Sequence, residues 1–384
     1  MYGAQLMDAL CRREPSLNFF GVGGERMRAA GCETVVDAKD LSVVGITEIL
    51  GHLPKIYGLF RKLIQEAEKR SPDLAIVIDS PAFNWRVARK MRERGIPVVY
   101  YVCPQFWAWR QGRVKLLRRY VNKALVIFPF EEKFYRDRGV DASFVGHPLS
   151  ELPLPTITRE EYARQQKLDP TKPWITIMPG SRGKEVRMNL PTIMESVRML
   201  SESYEFLLPV APTLDRSFIT GFLGEAPYVH LVPEALPALH HSRAGIIASG
   251  TATVEAAMMG LPFVMVYRVS KLTYLLGKPR VKVPFFTMVN LIAGEKIVTE
   301  LVQDDFTARN VVERVQELVV DGPIRVKMIA DLARVKSSLQ GPVASQLHPA
   351  ERAAESIFAL LRESAEASDS GLKNHVSCPP ASFK

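Results

Sequence analysis

Three short segments combine residue types and spacing that could do chemistry. In ITIMPGSRGKEV, residues 175–186, an apolar run ends at Met178, turns through Pro179, Gly180 and Ser181, and opens a helical pattern. Backbone N–H groups at such a helix start point outward unpaired, and the helix dipole adds partial positive charge, so the pattern predicts an anion site. Arg182 adds a planar fork matched to two phosphate oxygens. An ordinary strand–turn–helix with a solvent-facing arginine has the same spelling. In residues 246–264 another apolar run meets the small residues Ser249, Gly250 and Thr251, then a helix. Small side chains let a ligand approach the backbone closely, and the hydroxyls can bond phosphate oxygens. Glu255 falls one turn into that helix. It could accept both ribose hydroxyls, or be a first-turn acid favoured by the dipole. Two phosphate-type turns in one half of the chain point to a nucleoside diphosphate.

The third segment is Asp79-Ser80-Pro81-Ala82-Phe83-Asn84, directly after the apolar run Leu74–Ile78. A carboxylate fixed there suits removal of a proton from an acceptor hydroxyl. It suits equally well the capping of a helix that begins near Pro81. Two further groups are weaker. Gln105, Phe106 and Trp107, with Trp109 close by, follow a strand and could stack on a sugar, line an acyl-chain groove, or pack as a loop core. His147, in Val145-Gly146-His147-Pro148, could touch a donor or be structural.

These residues need rigid elements beneath them, and the chain spells such elements. Leu17–Gly21, Leu74–Asp79, Val98–Val102, Ala124–Phe128 and Ser143–Val145 read as strands, several apolar throughout as in a parallel sheet covered on both faces. The rhythm restarts with Trp174–Met178, Glu205–Val210, Val229–Val232, Gly245–Ala248 and Pro262–Val266. Two βαβ series predict an α/β protein of two Rossmann-like, doubly wound domains, with ligand at the strand C-termini. The expected division is residues 1–160, residues 161–340, a helix at 341–363 packing on the first domain or on a partner, and a disordered tail at 364–384. Met1–Arg12 reads as a helix, whereas a doubly wound domain normally opens with a strand and a glycine turn. The expectation is therefore a first domain lacking its first strand, with the natural start upstream of Met1.

A length of 384 residues exceeds one ordinary core, and a formal charge of +9 favours anionic partners. Cys11, Cys32, Cys103 and Cys378 are scattered without metal-binding or disulfide spacing, which fits a reducing compartment. No signal peptide and no uncharged apolar run of about 18 residues is present, so membrane contact would be peripheral. Leu53–Lys69 sets Ile56, Leu59, Phe60, Leu63 and Ile64 at helical spacing beside Lys55, Arg61 and Lys62. That helix could rest on an anionic bilayer or on the protein core. Val269–Phe286, apolar and basic, is a second candidate contact. No motif reads nucleic acid.

Taken in order, IDSPAFN, VCPQFWAWR, FPFEEKFY, GHPL, MPGSRGKEV, SGTATVEAAMMGLPFVMVYR and MVNLIAGE resemble the lipid-A-disaccharide synthase family over nearly all of residues 21–303. The resemblance implies a GT-B fold with a cleft between its domains, and inverting transfer of 2,3-diacylglucosamine from its UDP form to 2,3-diacylglucosamine 1-phosphate, releasing UDP. It implies Asp79 as base and Arg182 as the diphosphate-side arginine. Gly180, Ser181, Ser249, Gly250, Thr251 and Glu255 fall in UDP-binding turns, and Asn290 and Glu295 match a donor-side loop. Asn84, Gln105, Phe106, Trp107 and His147 are candidate sugar or acyl contacts. No metal or cofactor is expected, and the setting would be the cytoplasmic face of the inner membrane, with a homodimer as one arrangement. A UDP-sugar epimerase of the same fold and an inactive lipid- or nucleotide-binding protein are the alternatives. Family members carry an opening strand and glycine loop ahead of the segment matched by Met1–Leu10, which this sequence lacks.

Overall fold

The computed structural model describes residues 1–42, 49–341 and 347–373. It divides into two compact units: residues 1–106, 111–148 and 343–384 form the first, residues 107–110 and 149–342 the second.

The first unit runs α1 (Tyr2–Arg13), β1 (Phe19–Gly23), α2 (Glu25–Ala29), β2 (Cys32–Asp37), α3 (Ala38–Ser42), α4 (Ile49–Arg70), β3 (Ala75–Ile78), α5 (Pro81–Arg92), β4 (Val98–Tyr101), α6 (Val114–Tyr120), β5 (Lys123–Val126), α7 (Pro129–Arg136) and β6 (Ala142–Phe144). Strands β3 to β6 form a parallel sheet in sequential order. All four residues of β4 are buried, as helices covering both faces require. β1 and β2 form a separate parallel pair. Among the described residues no strand joins β1 to β3, and a cavity of about 540 Å³ separates them, lined by Leu6, Phe20, Val22, Ile76 and Ile78 among others. The strand residues at this gap, Phe20, Val22, Ile76 and Ile78, are only half-buried.

The apolar stripe of α4 faces inward. Leu63 and Ile64 belong to the core and Leu59 and Phe60 pack against it, leaving Lys55, Arg61 and Lys62 exposed. The core thus takes Leu63 and Ile64, while Ile56, Leu59 and Phe60 stay half-buried.

The second unit runs α8 (Arg159–Gln166), β7 (Trp174–Met178), α9 (Gly183–Leu200), β8 (Glu205–Pro209), α10 (Arg216–Leu223), β9 (Val229–Val232), α11 (Ala235–His241), β10 (Ala244–Ala248), α12 (Thr251–Met258), β11 (Phe263–Tyr267), α13 (Lys271–Gly277), α14 (Met288–Ala293), β12 (Glu300–Val302), α15 (Ala308–Val319) and α16 (Pro323–Gln340). Its six strands are parallel in the order β12-β11-β10-β7-β8-β9. The chain builds outward from β7 to β9, then crosses back to β10 on the other side of β7. The strand order therefore reverses between β7 and β10, and such a switch point opens a crevice at the strand C-termini.

The final helix, α17 (Pro349–Lys373), belongs to the first unit. Ala350, Ala353, Ala354 and Ile357 are buried there, Arg13 pairs with Glu355 at 2.9 Å, and the Arg352 Nε donates to the Val145 carbonyl at 2.7 Å. Three boundaries differ from the sequence reading. The second unit starts at Leu149, because α8 packs under β7 through Tyr162 and Ala163. It also claims Trp107–Arg110. The last helix continues through residues 364–373, taken from sequence as tail; residues 374–384 lie outside the described ones.

Candidate functional site

In the second unit, the turns after β7 and β10 leave neighbouring strands on either side of the switch point, with Ile247 in register with Met178. Adjacent strands lie about 4.8 Å apart, so the turns at residues 179–182 and 249–251 are neighbours at one sheet edge. Gly180 has φ +122°, and a Cβ there would meet the Glu185 Cβ at 2.6 Å. Only glycine lets this turn fold so tightly onto the first turn of α9.

The helix start is not bare. The Glu185 carboxylate accepts the Ser181 and Arg182 backbone N–H groups at 3.1 and 3.3 Å, and the Arg182 guanidinium at 2.7 Å. The sequence reading left these amides free; a side chain from within α9 caps them instead. Arg182 keeps 80% of its side-chain surface exposed and can reach outward. The Ser181 carbonyl accepts the Thr213 hydroxyl at 2.6 Å, which steadies the turn.

At the second turn, Gly250 has φ +144° with nothing within 4 Å of an added Cβ, so open space borders the backbone. Thr251 is exposed at the first position of α12. Ser249 behaves differently from expectation. Its hydroxyl donates to the Phe286 carbonyl at 2.9 Å, so it can accept from a ligand but has no proton to give a phosphate. Glu255 is half-buried, and its carboxylate makes no hydrogen bond or ion pair among the described residues. Burial pushes its carboxyl above the usual value. An unpaired half-buried carboxylate costs stability unless a ligand satisfies it.

Asn290 is fully buried and fully used. Its amide donates to the Val298 carbonyl and to Glu300 at 2.9 Å each, and its oxygen accepts from Ile297 and Val298 at 2.9 and 2.8 Å. All four bonding positions of the side chain are taken, so it shapes the loop and has none left for a ligand. Glu295 is exposed and pairs with Arg334 at 2.8 Å. Sequence reasoning missed Glu300, which accepts the Phe286 and Thr287 N–H groups and so holds the carbonyl that anchors Ser249. It also missed Asn189 in α9, whose buried amide donates to the Pro179 carbonyl at 2.9 Å and accepts the Arg268 N–H at 3.0 Å. Nothing in a lone mid-helix asparagine announces that link.

In the first unit, Asp79 and Ser80 are both left-handed, at φ +48° and +42°. Two consecutive non-glycine residues there are strained and need support. The support is visible: Tyr100 and Asn84 donate to the Asp79 carbonyl at 2.7 Å each, and Asn84 also donates to the Ile78 carbonyl at 2.8 Å. The Asp79 carboxylate is exposed and without a hydrogen bond or ion pair among the described residues. The N-cap of α5 is Ser80, with no side-chain bond, so Asp79 does not cap the helix. Asn84 has both amide protons committed to this corner and acts as its support, which leaves only its side-chain oxygen for a ligand.

The remaining candidates separate. Gln105 is exposed, Phe106 belongs to the core of the first unit, and Trp107 is buried in the second. Phe106 and Trp107 therefore offer no groove surface. His147 is 2% exposed, with its ring 5.1 Å from that of Phe128. Burial lowers it to about 4, so it is a neutral packing group near pH 7.

A family model described as lipid-A-disaccharide synthetase matches residues 1–350. The chain belongs to the lipid-A-disaccharide synthetase family. It is 52% identical to the lipid-A-disaccharide synthase of Koribacter versatilis (strain Ellin345), over 94% of this chain and 95% of that one. It is 48% identical to the synthase of Acidobacterium capsulatum over 90% of each chain, and 41% identical to that of Myxococcus xanthus over 94% of each. Members of the lipid-A-disaccharide synthetase family are glycosyltransferases. Among solved structures, the calicheamicin glycosyltransferase CalG4 matches with a TM-score of 0.57 at 18% identity, covering 93% of this chain and 94% of that one. The UDP-GlcNAc 2-epimerase from Neisseria meningitidis bound to UDP-GlcNAc matches with a TM-score of 0.59 at 13% identity, covering 94% and 96%. These two likenesses carry the GT-B fold that the family shares.

Proposed function

We propose that the protein transfers 2,3-diacylglucosamine from its UDP form to the 6-hydroxyl of 2,3-diacylglucosamine 1-phosphate, giving the β-1,6-linked disaccharide 1-phosphate and UDP. The observation that carries the donor half is the pair of turns flanking the switch point, with the unpartnered Glu255 carboxylate one turn into α12. Arg182 and Thr251 meet the diphosphate and Glu255 accepts the ribose hydroxyls. The acceptor half rests on Asp79, a free carboxylate on a strained and buttressed corner. Asp79 takes the proton from the acceptor hydroxyl as its oxygen bonds to C1 of the donor sugar. The bond from C1 to the UDP oxygen breaks in the same displacement, and its electron pair leaves with UDP, where Arg182 and the start of α12 stabilise the charge. The protein works at the cytoplasmic face of the membrane that holds its acylated substrates; among the described residues no helix is long and apolar enough to cross it.

Incubation with UDP-diacylglucosamine, with and without the monosaccharide phosphate, tests this reading. Disaccharide and UDP should appear only when acceptor is present. A donor epimer formed without acceptor would make the protein an epimerase instead.

A further inference from the structure

The segment from α13 to Lys282 is built unlike the rest of the second unit. Leu272, Leu275 and Leu276 share one face of α13, at spacings of three and four residues. They are 66%, 72% and 53% exposed, and α13 buries no residue at all. Val281 just beyond is 39% exposed. The Lys282 N–H donates to the Ala108 carbonyl at 2.8 Å, which sets this end of the arm beside Trp109, itself 45% exposed. Lys271, Lys278, Arg280 and Lys282 are all exposed around these groups. Residues 256–294 contain no aspartate or glutamate, so no acid in this stretch offsets the four cations.

We propose that this arm docks the second unit on the surface of an anionic lipid bilayer. The inference deepens the reading above, which gives the enzyme lipid substrates, by naming the surface that meets the membrane. Leucines, valine and an aromatic at the headgroup boundary, ringed by lysine and arginine, match an interfacial anchor in composition. Anionic headgroups supply the counter-charge that this stretch does not. A second copy of the chain fits poorly, because pairing this face with itself would set four cations against four. A groove for substrate acyl chains fits poorly too, because leucines this exposed do not enclose a chain.

The test is co-sedimentation of the full chain with vesicles of phosphatidylethanolamine, prepared with and without phosphatidylglycerol. The unaltered protein should bind the anionic vesicles and lose affinity as salt is added. The variant K271Q/K278Q/R280Q/K282Q should bind at least about 100-fold more weakly, since each cation near such a surface is worth roughly fivefold. L272S/L275S/L276S should also lose at least about tenfold, with little change in the salt dependence of what remains. Both variants should keep normal turnover on detergent-dispersed substrates, because none of these residues belongs to the proposed site. Unchanged vesicle binding in both variants, or equal binding to vesicles without phosphatidylglycerol, would overturn the proposal. Turnover lost in detergent with vesicle binding intact would assign the leucines to substrate chains, and conversion of a dimer to monomer would assign them to self-association; either result rejects the bilayer. Absent turnover in the unaltered protein beside intact vesicle binding would count against the enzymatic reading alone.

Discussion

Glu185 holds Arg182 by two bonds and its neighbour by a third: its carboxylate accepts the arginine guanidinium at 2.7 Å, the arginine backbone N–H at 3.3 Å, and the N–H of Ser181 at 3.1 Å. The carboxylate thus sits where a diphosphate would be drawn by the same donors, and the two anions compete. Glu185→Gln keeps the shape and removes the charge. It should tighten UDP binding by about fivefold, the effect of roughly 1 kcal/mol at a helix N-terminus. Arg182→Ala should weaken UDP and lower turnover at least about 100-fold. Titration calorimetry reads both; weaker UDP binding in Glu185→Gln would mean that the carboxylate helps to shape the site.

Asp79 separates chemistry from stability. Among the described residues its carboxylate has no partner to lose, so Asp79→Asn should leave the melting temperature unchanged while turnover falls about 100- to 10,000-fold. Asp79→Gly removes the carboxylate and also the strain of φ +48°. It should be equally inactive and melt about 2 °C higher, because glycine takes left-handed geometry without penalty. A normal rate in the well-folded Asp79→Asn variant would remove this residue from the mechanism.

Glu255 predicts a pH dependence. Burial raises its carboxyl above the ordinary 4.5, so the folded protein holds a proton that the unfolded chain releases. Its contribution to stability is therefore largest below 4.5, declines as the pH rises through the raised value, and stays lower above it. Ribose hydroxyls donate to the ionised form, so UDP should bind more tightly as the pH climbs through that window and should release protons on binding. Glu255→Gln should flatten this pH dependence of affinity. Calorimetry in buffers of different ionisation enthalpy counts the protons, and a release that persists in Glu255→Gln would assign them elsewhere.

Asn290 is a structural residue by its bonding, and its substitution should report stability first. Asn290→Ala strands two buried backbone N–H groups, a buried carbonyl and one bond to Glu300. The loss should be about 3 kcal/mol, or roughly 6–12 °C in melting temperature. Calorimetric melting would show it; a variant with weakened UDP binding and an unchanged melting temperature would instead make Asn290 a ligand contact.

The phosphate-type turns were legible because an apolar run followed by glycine and serine can hardly fold otherwise. The strands β4, β7 and β10 were equally legible, being apolar along their length apart from Thr176 in β7. What those turns bind internally was not legible. Glu185 reaches back over three and four residues because Gly180 adopts φ +122°, a backbone setting that residue types do not spell. Ser249 points to Phe286 because Glu300 holds that segment, through contacts 37 and 14 residues apart. β2 and β12 went unread: CETVVD carries acids at two of six positions, and ELV is three residues long. The stripe of α4 satisfied both a core and a bilayer pattern, and only tertiary packing decides which surface an amphipathic helix covers.

The gap in the first unit makes a last prediction, at single-residue resolution. The Ala75 and Asp79 N–H groups donate to the Pro97 and Tyr101 carbonyls of the β4 side, at 3.0 and 3.2 Å. Successive amides of a strand alternate in direction, so those of Ile76 and Ile78 point away from β4, toward the cavity shared with β1. A parallel sheet ordinarily buries such an edge under a further strand, and here the amides border open space instead. Hydrogen exchange followed by NMR should find Ile76 and Ile78 exchanging at least about 100-fold faster than Tyr100 and Leu125, which lie in strands paired on both sides. Equal protection at the two sets of amides would mean that the edge of β3 is covered in solution and that β1 and β3 close on one another.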